Sequence, residues 1–248
     1  MCIVFVPIGV LFFNRSFESV YGDNINVKLL LNVLGIHSYF GFYGYNATWW
    51  FMSAIIPLYI LFPLLKHYTM RYKGYMLLVT FALIYIKYIP YTLRFWIFPF
   101  VLGIYFSQNN GFIRIRNLMN NRPVTKFLVY INIILMVMLF RHFGYKQLNY
   151  YALDGIFGLL IILFGFEYLS KVPLWGKIEL IGKHSFNIFL FHTFIYYYYF
   201  NEFSYVLKYP PLIFAQLLSI CMVISMVLER IKLFVLQAAS EIRMMKQK

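Results

Sequence analysis

The chain has 248 residues, of which 62% are hydrophobic, 22% aromatic and only 12% charged. Soluble domains carry about 25% charged residues, so a surface this poor in charge excludes a water-soluble fold and places the chain among polytopic membrane proteins. The net charge of +14 does not signal nucleic acid, because membrane proteins accumulate Lys and Arg in cytoplasmic loops and no soluble basic face is available for a duplex.

About 20 apolar residues span a bilayer, fewer where polar flanks reach back to the interface. Runs of this kind predict an all-α bundle of about eight transmembrane helices, forming a single membrane domain over 1–248. Residues 1–13 read as a partial span, opening directly into apolar sequence with no signal-peptide pattern. Segment 14–48 is the outer loop, rich in Asn, Gly and Tyr, with one semi-apolar run from Val27 to Ile36 that is expected to lie in the interface or re-enter. Its Asn46-Ala47-Thr48 matches the glycosylation sequon but abuts Trp49, and reads as a chance match. Spans are expected at 49–66, 74–91, 93–107, 124–141, 150–169, 183–200 and 212–236, with 237–248 a cytoplasmic, interfacial tail. The break at Pro90-Tyr91-Thr92 separates two helices rather than kinking one.

Loop charges orient the bundle. Lys66, Arg71 and Lys73, then Arg114, Arg116, Arg122 and Lys126, then Arg243, Lys246 and Lys248 form basic connections that alternate with charge-poor ones, apart from a weakly basic 141–149 with Arg141 and Lys146. The basic side is cytoplasmic, so both termini are expected inside and 14–48 outside. Trp49-Trp50 and Tyr196–Tyr199 then mark outer aromatic belts, with a tyrosine-lined carbohydrate platform as the alternative. Cys2 and Cys221 read as buried free thiols.

Few ionisable groups fall within spans. Lys87, Arg94, Arg141, His142 and Asp154 are expected at outer helix ends, Glu167 and Glu229 at inner ends, with Glu229 positioned to pair with Arg230. Only His192 lies deep, in the run from Gly182 to Tyr199. An imidazole at that depth is costly without a partner and marks a functional site by default. Ser185, Phe189 and His192 share one helical stripe. Two roles stand for His192, lining a donor channel or fixing helix packing through a hydrogen bond to a neighbouring helix. The internal repeats and paired broken helices of secondary transporters are missing from the sequence, as are Walker, Rossmann and zinc-binding patterns.

Four stretches in order resemble one family. Trp50-Phe51-Met52-Ser53-Ala54-Ile55-Ile56-Pro57-Leu58-Tyr59 through Pro63 is similar to the Trp-x-Leu-Ser-x-Glu-x-x-x-Tyr-x-x-x-Pro helix of the acyltransferase 3 family. Phe98-Pro99-Phe100-Val101-Leu102-Gly103, with Arg94 ahead of it, resembles that family's Phe-x-x-Gly helix. Gly182-Lys183-His184-Ser185 through His192 resembles its Gly-x-x-Ser-x-x-x-Tyr-Leu-x-His segment, and Glu229 its late acidic residue. The resemblance implies an integral-membrane O-acetyltransferase of a bacterial plasma membrane. Such an enzyme moves an acetyl group from acetyl-CoA, with no metal, to hydroxyls of a surface or exported polysaccharide.

Carried over residue by residue, the implied core or channel positions are His192, Ser185, Arg94, Trp50, Tyr59 and Glu229. Arg114, Arg116 and Arg122 are placed to attract the acyl donor. Two departures stand out. The family glutamate of the Trp-Ser helix is Ile55 here. The family's first two spans, with an Arg-x(10)-His signature that holds the favoured catalytic base, have no counterpart, so no catalytic residue is identified. An inactive remnant of such an enzyme is therefore the alternative expectation, with a glycan flippase or polymerase component behind it.

Overall fold

The computed structural model describes residues 2–117, 122–143 and 150–245, and the regular structure among them is helical. In chain order the helices are α1 (Cys2–Phe12), α2 (Phe17–Tyr21), α3 (Ile25–Val33), α4 (Trp50–Tyr72), α5 (Gly74–Leu83) and α6 (Tyr91–Gln108). After them come α7 (Gly111–Asn117), α8 (Pro123–Phe143), α9 (Tyr150–Glu167), α10 (Trp175–Thr193), α11 (Asn201–Tyr205) and α12 (Pro210–Met245). A π-helical turn, Phe194–Tyr199, prolongs α10. Three described helices are long and apolar enough to cross a bilayer: Ala47–Tyr72, Pro123–Phe143 and Pro210–Ala238.

Helix bounds depart from the expected spans in places. The segment 74–91 begins with the ten-residue α5 and continues as turns. Ten residues rise about 15 Å, half of a hydrocarbon core of about 30 Å. The segment 183–200 starts inside α10, whose first turn is at Trp175. Residues 237–245 continue α12 without a break. Lys146 in the 144–149 connection, and Lys246 and Lys248, lie outside the described residues.

The chain divides into two units, Met1–Leu34 with Tyr43–Trp49 and Gly176–Lys248, and Gly35–Phe42 with Trp50–Trp175. In the second, α4 and α6 pack along their length through Leu58 and Leu65 against Ile97, Val101 and Ile104. Where lipid is as apolar as the helix surface, such packing stabilises by close van der Waals fit rather than by escape from water. Pro57 and Pro63 within α4, and Pro99 within α6, each remove a backbone donor. Gly155 of α9 lies against Pro99, where a Cβ would sit 3.0 Å from the Pro99 ring. The absent side chain lets the two helices close together. Hydroxyls in these helices satisfy themselves locally, Thr69 Oγ1 donating to Leu65 O at 2.6 Å and Thr80 Oγ1 to Met76 O at 2.9 Å. Between α8 and α9, Arg141 Nε pairs with Asp154 Oδ1 at 2.8 Å.

In the first unit an aromatic stack joins α1 to the end of α10. Phe5 lies face to face with Phe191 at 5.3 Å and Phe194 at 4.9 Å, and Phe13 with Tyr199 at 4.5 Å. Tyr199 donates its hydroxyl to Phe5 O at 2.6 Å. A Cβ on Gly9 would collide with the hydroxyls of Tyr45 and Tyr199, so glycine is what admits both rings against α1.

Candidate functional site

The polar side chains of each unit gather into clusters that the apolar sequence makes conspicuous. In the second unit, the turn His37–Phe40 lies across the first turns of α4. Gly35, at φ +73°, passes so close that a Cβ would come within 2.8 Å of Ile56 and 3.0 Å of Met52. Ser53, fully buried, donates to Gly35 O at 2.7 Å and accepts from Ser38 N at 3.4 Å. Tyr39 donates its hydroxyl to Ser53 O at 2.6 Å. Ser53 is thus the post to which this loop is tied.

Buried groups with unused hydrogen-bonding capacity surround that post. His37 is 2% exposed, its ring tilted against Phe42 at 5.9 Å, and its Nδ1 has no hydrogen-bond partner among the described residues. Burial disfavours the charged imidazole and holds the His37 pKa below its ordinary value. Burial likewise raises the Tyr39 phenol, against a smaller opposing effect of the Thr92 hydroxyl beside it. Thr92, on the first turn of α6, is buried and its Oγ1 also lacks a hydrogen bond among the described residues.

Arg94 follows on the same turn. Its Nη1 reaches Ile86 O at a long 3.5 Å, its guanidinium lies 4.5 Å from the Phe95 ring, and its buried Nε has no hydrogen-bond partner among the described residues. Trp50 packs its ring against Trp96 at 5.7 Å. Trp50 and Arg94 therefore share the end of this unit at which α4 and α6 begin. Tyr59 does not belong there. It lies two turns further along α4, two-thirds exposed, edge-on to Phe100 at 6.2 Å. Arg114 on α7 and Arg122 ahead of α8 are exposed, and the Arg116 side chain lies outside the described residues.

In the first unit, α10 and α12 are joined by a chain of polar groups. His184 Nδ1 lies 2.8 Å from Ser225 Oγ, and Asn187 Nδ2 donates to Ser225 Oγ at 3.2 Å and to Glu229 Oε1 at 2.9 Å. Glu229 Oε2 receives Lys232 Nζ at 3.4 Å. Glu229 therefore pairs with the residue three ahead rather than with the adjacent Arg230, because neighbours in sequence point to different faces of a helix. Ser225 is fully buried. Since Asn187 fills one of its acceptor positions, its own hydrogen can point to His184 when Nδ1 is unprotonated. Ser185, next in sequence to His184, turns outward and bonds to Gly182 O at 2.8 Å.

His192 stands apart from that seam. Its Nδ1 faces Phe189 O at 2.9 Å and Ile188 O at 3.1 Å, both in its own helix, and Tyr196 stacks on the ring at 5.7 Å. Two carbonyls at one nitrogen require the proton there, so the neutral ring keeps its lone pair on Nε2. That nitrogen is the one available to accept a proton or a hydroxyl. The neighbouring Leu190 O lies near the end of α10. It accepts Asn46 Nδ2 at 3.1 Å and Trp49 Nε1 at 3.0 Å. Asn46 Oδ1 in turn accepts Thr193 Oγ1 at 2.6 Å, Thr48 Oγ1 at 2.9 Å and Thr48 N at 3.0 Å. Asn46 is fully buried, so this side chain locks the connection ahead of α4 to the end of α10 and is closed to a glycan.

Of the residues implied from the sequence, Trp50 and Arg94 share one end of the second unit, and Glu229 meets the Gly182–His192 segment through Asn187. Reading the sequence missed His37, His184, Asn187, Asn46, Thr92 and Ser225. For three of them a signal was present. His184 and Asn187, three apart, and Ser225 and Glu229, four apart, put polar stripes on otherwise apolar helices.

Comparison with known families identifies the chain. The sequence model of the acyltransferase 3 family, described as an acyltransferase domain, matches residues 1–230. No match is found among curated proteins or solved structures.

Proposed function

Because the chain belongs to the acyltransferase 3 family, we propose that it is a membrane O-acetyltransferase that moves an acetyl group from acetyl-CoA to hydroxyls of a surface or exported polysaccharide. The family match over residues 1–230 is the observation that carries this reading. Transfer from a thioester requires a base for the acceptor proton, donors for the tetrahedral oxyanion, and separate approaches for donor and acceptor. A near-neutral imidazole is suited to the first task. His192, with Nδ1–H directed to Ile188 O and Phe189 O, is held in a tautomer whose Nε2 accepts, which supports a place along the acyl path. The acceptor is assigned to the end of the second unit that carries Trp50 and Arg94, where an indole face and a guanidinium offer stacking and hydroxyl contacts. Arg114, Arg116 and Arg122 are assigned to the attraction of the donor phosphates. The eight-span arrangement with both termini inside is part of the same proposal.

The test is genetic and chemical. Deleting the coding sequence should remove O-acetyl groups from the polysaccharide, read by NMR of purified glycan, while leaving its chain length unchanged. A shortened glycan with normal acetylation would overturn the assignment in favour of a flippase or polymerase component.

A further inference from the structure

The corner between α4 and α5 is a run of five consecutive exposed residues, Arg71-Tyr72-Lys73-Gly74-Tyr75, at the end of the apolar span Ala47–Tyr72. The Arg71 guanidinium lies 5.6 Å from the centre of the Tyr72 ring, and Tyr72 stacks on Tyr68 at 6.0 Å. Arg71 and Lys73 are two residues apart, so two Cα steps of about 3.8 Å keep their backbones within about 7.6 Å of each other. Both side chains can therefore reach one phosphate-sized group.

The charge of this corner is uncompensated. No Asp or Glu occurs in the sequence between Asp23 and Asp154. Among the described residues neither Arg71 nor Lys73 is paired with a carboxylate. Lys73 also has an uncommon backbone. Its φ of +48° lies in the left-handed region, where glycine costs least and a side chain is strained. A cation thus occupies a turn position that favours glycine.

The surroundings are those of a lipid headgroup. Met70 on α4 and Leu78 on α5 are more than half exposed, so apolar surface flanks the cations on both helices. Tyrosine rings settle at headgroup depth, and Lys and Arg at that depth meet lipid phosphates. A soluble phosphate ester would find only exposed, hydrated groups here. A phospholipid is held beside the corner by its own chains, so its phosphate needs no enclosing pocket. We propose that the α4–α5 corner holds an anionic phospholipid, its phosphate at Arg71 and Lys73 and its glycerol region against Tyr72 and Tyr75. This site goes beyond the acyltransferase reading and stands without it.

The experiment uses the full chain, purified in a non-ionic detergent, with a photoactivatable phosphatidylglycerol whose attachment is mapped by mass spectrometry. Saturable labelling is expected within 68–78, with photoactivatable phosphatidylcholine at least tenfold weaker. Lys73→Gly removes the charge while relieving the backbone, so folding is undisturbed. It should weaken labelling of 68–78 about fivefold, the worth of one cation beside an anionic lipid, and adding Arg71→Gln should bring the loss to about 25-fold. Lys73→Arg should label like the wild type. Arg230→Gln, which removes an exposed cation on α12, should leave labelling of 68–78 unchanged. Equal labelling by the two phospholipids overturns the proposal. So does an equal loss in Arg230→Gln, since that pattern is attraction by net charge alone. Displacement of the probe by glycerol phosphate as readily as by unlabelled phosphatidylglycerol also overturns it, because the corner would then take a soluble phosphate.

Discussion

Replacing Asn46 by alanine tests the lock between the connection ahead of α4 and the end of α10. The carboxamide is fully buried and makes four hydrogen bonds, two of them to the distant Leu190 O and Thr193 Oγ1. Leu190 O keeps Trp49 Nε1 after the change, and Thr48 lies beside solvent-accessible loop. Thr193, 5% exposed, loses its acceptor. Two long-range bonds at about 1 kcal/mol net each, with about 1–3 kcal/mol for the stranded Thr193 hydroxyl, give a loss of about 3–5 kcal/mol. Titration with SDS in mixed micelles, followed by tryptophan fluorescence, measures it. Thr193→Val in the Asn46→Ala background should recover about 1–3 kcal/mol, because it removes the unpaired group, whereas alone it should destabilise by about 1 kcal/mol. A loss below about 1 kcal/mol for Asn46→Ala, or an equal cost of Thr193→Val in both backgrounds, refutes the reasoning.

Three further outcomes are expected. Because burial depresses the His37 pKa in the folded protein, the unfolded chain binds a proton first as pH falls below its ordinary value of 6.5. Stability is therefore complete above that pH and declines below it, and His37→Gln should flatten the fall in unfolding temperature between pH 7.5 and 5.5 seen by differential scanning fluorimetry. His192→Ala should lower but not abolish glycan acetylation in cells, and wild-type acetylation in that variant would leave the residue only its contacts within α10. Gly35→Ala, at φ +73° with a Cβ 2.8 Å from Ile56 Cδ1, should destabilise by at least about 1 kcal/mol. Gly41→Ala, at φ +74° with open space around it, should cost only the backbone part, and the difference read in the same SDS titration isolates the contact with α4.

What the residues determine locally and what packing determines separate cleanly in this chain. Charge content points to the membrane class, and long continuous apolar runs point to helices, because a backbone in lipid must satisfy its own polar groups and the helix does so within one segment. The long apolar runs of Ala47–Tyr72, Pro123–Phe143 and Pro210–Ala238 carry their spans in composition alone. The shape of 74–91 does not follow from composition: α5 stops at Leu83 although apolar sequence continues, since apolar content permits a helix without requiring one.

The family was legible in the Trp50–Tyr59, Phe98–Gly103 and Gly182–His192 stretches, which are local patterns. The polar connections were not. Glu229 looked toward Arg230 until helix geometry gave it Asn187 and Lys232. Asn46 read only as part of a chance sequon match, and its bonds to Leu190 O and Thr193 appear only in the folded chain. His37 showed no periodic signal because it lies in a turn, and only the packing of that turn on Ser53 and Met52 buries it. A hydrogen bond spanning 144 residues leaves no trace in either short segment, so it is the tertiary structure that decides which polar groups are locked and which remain free for chemistry.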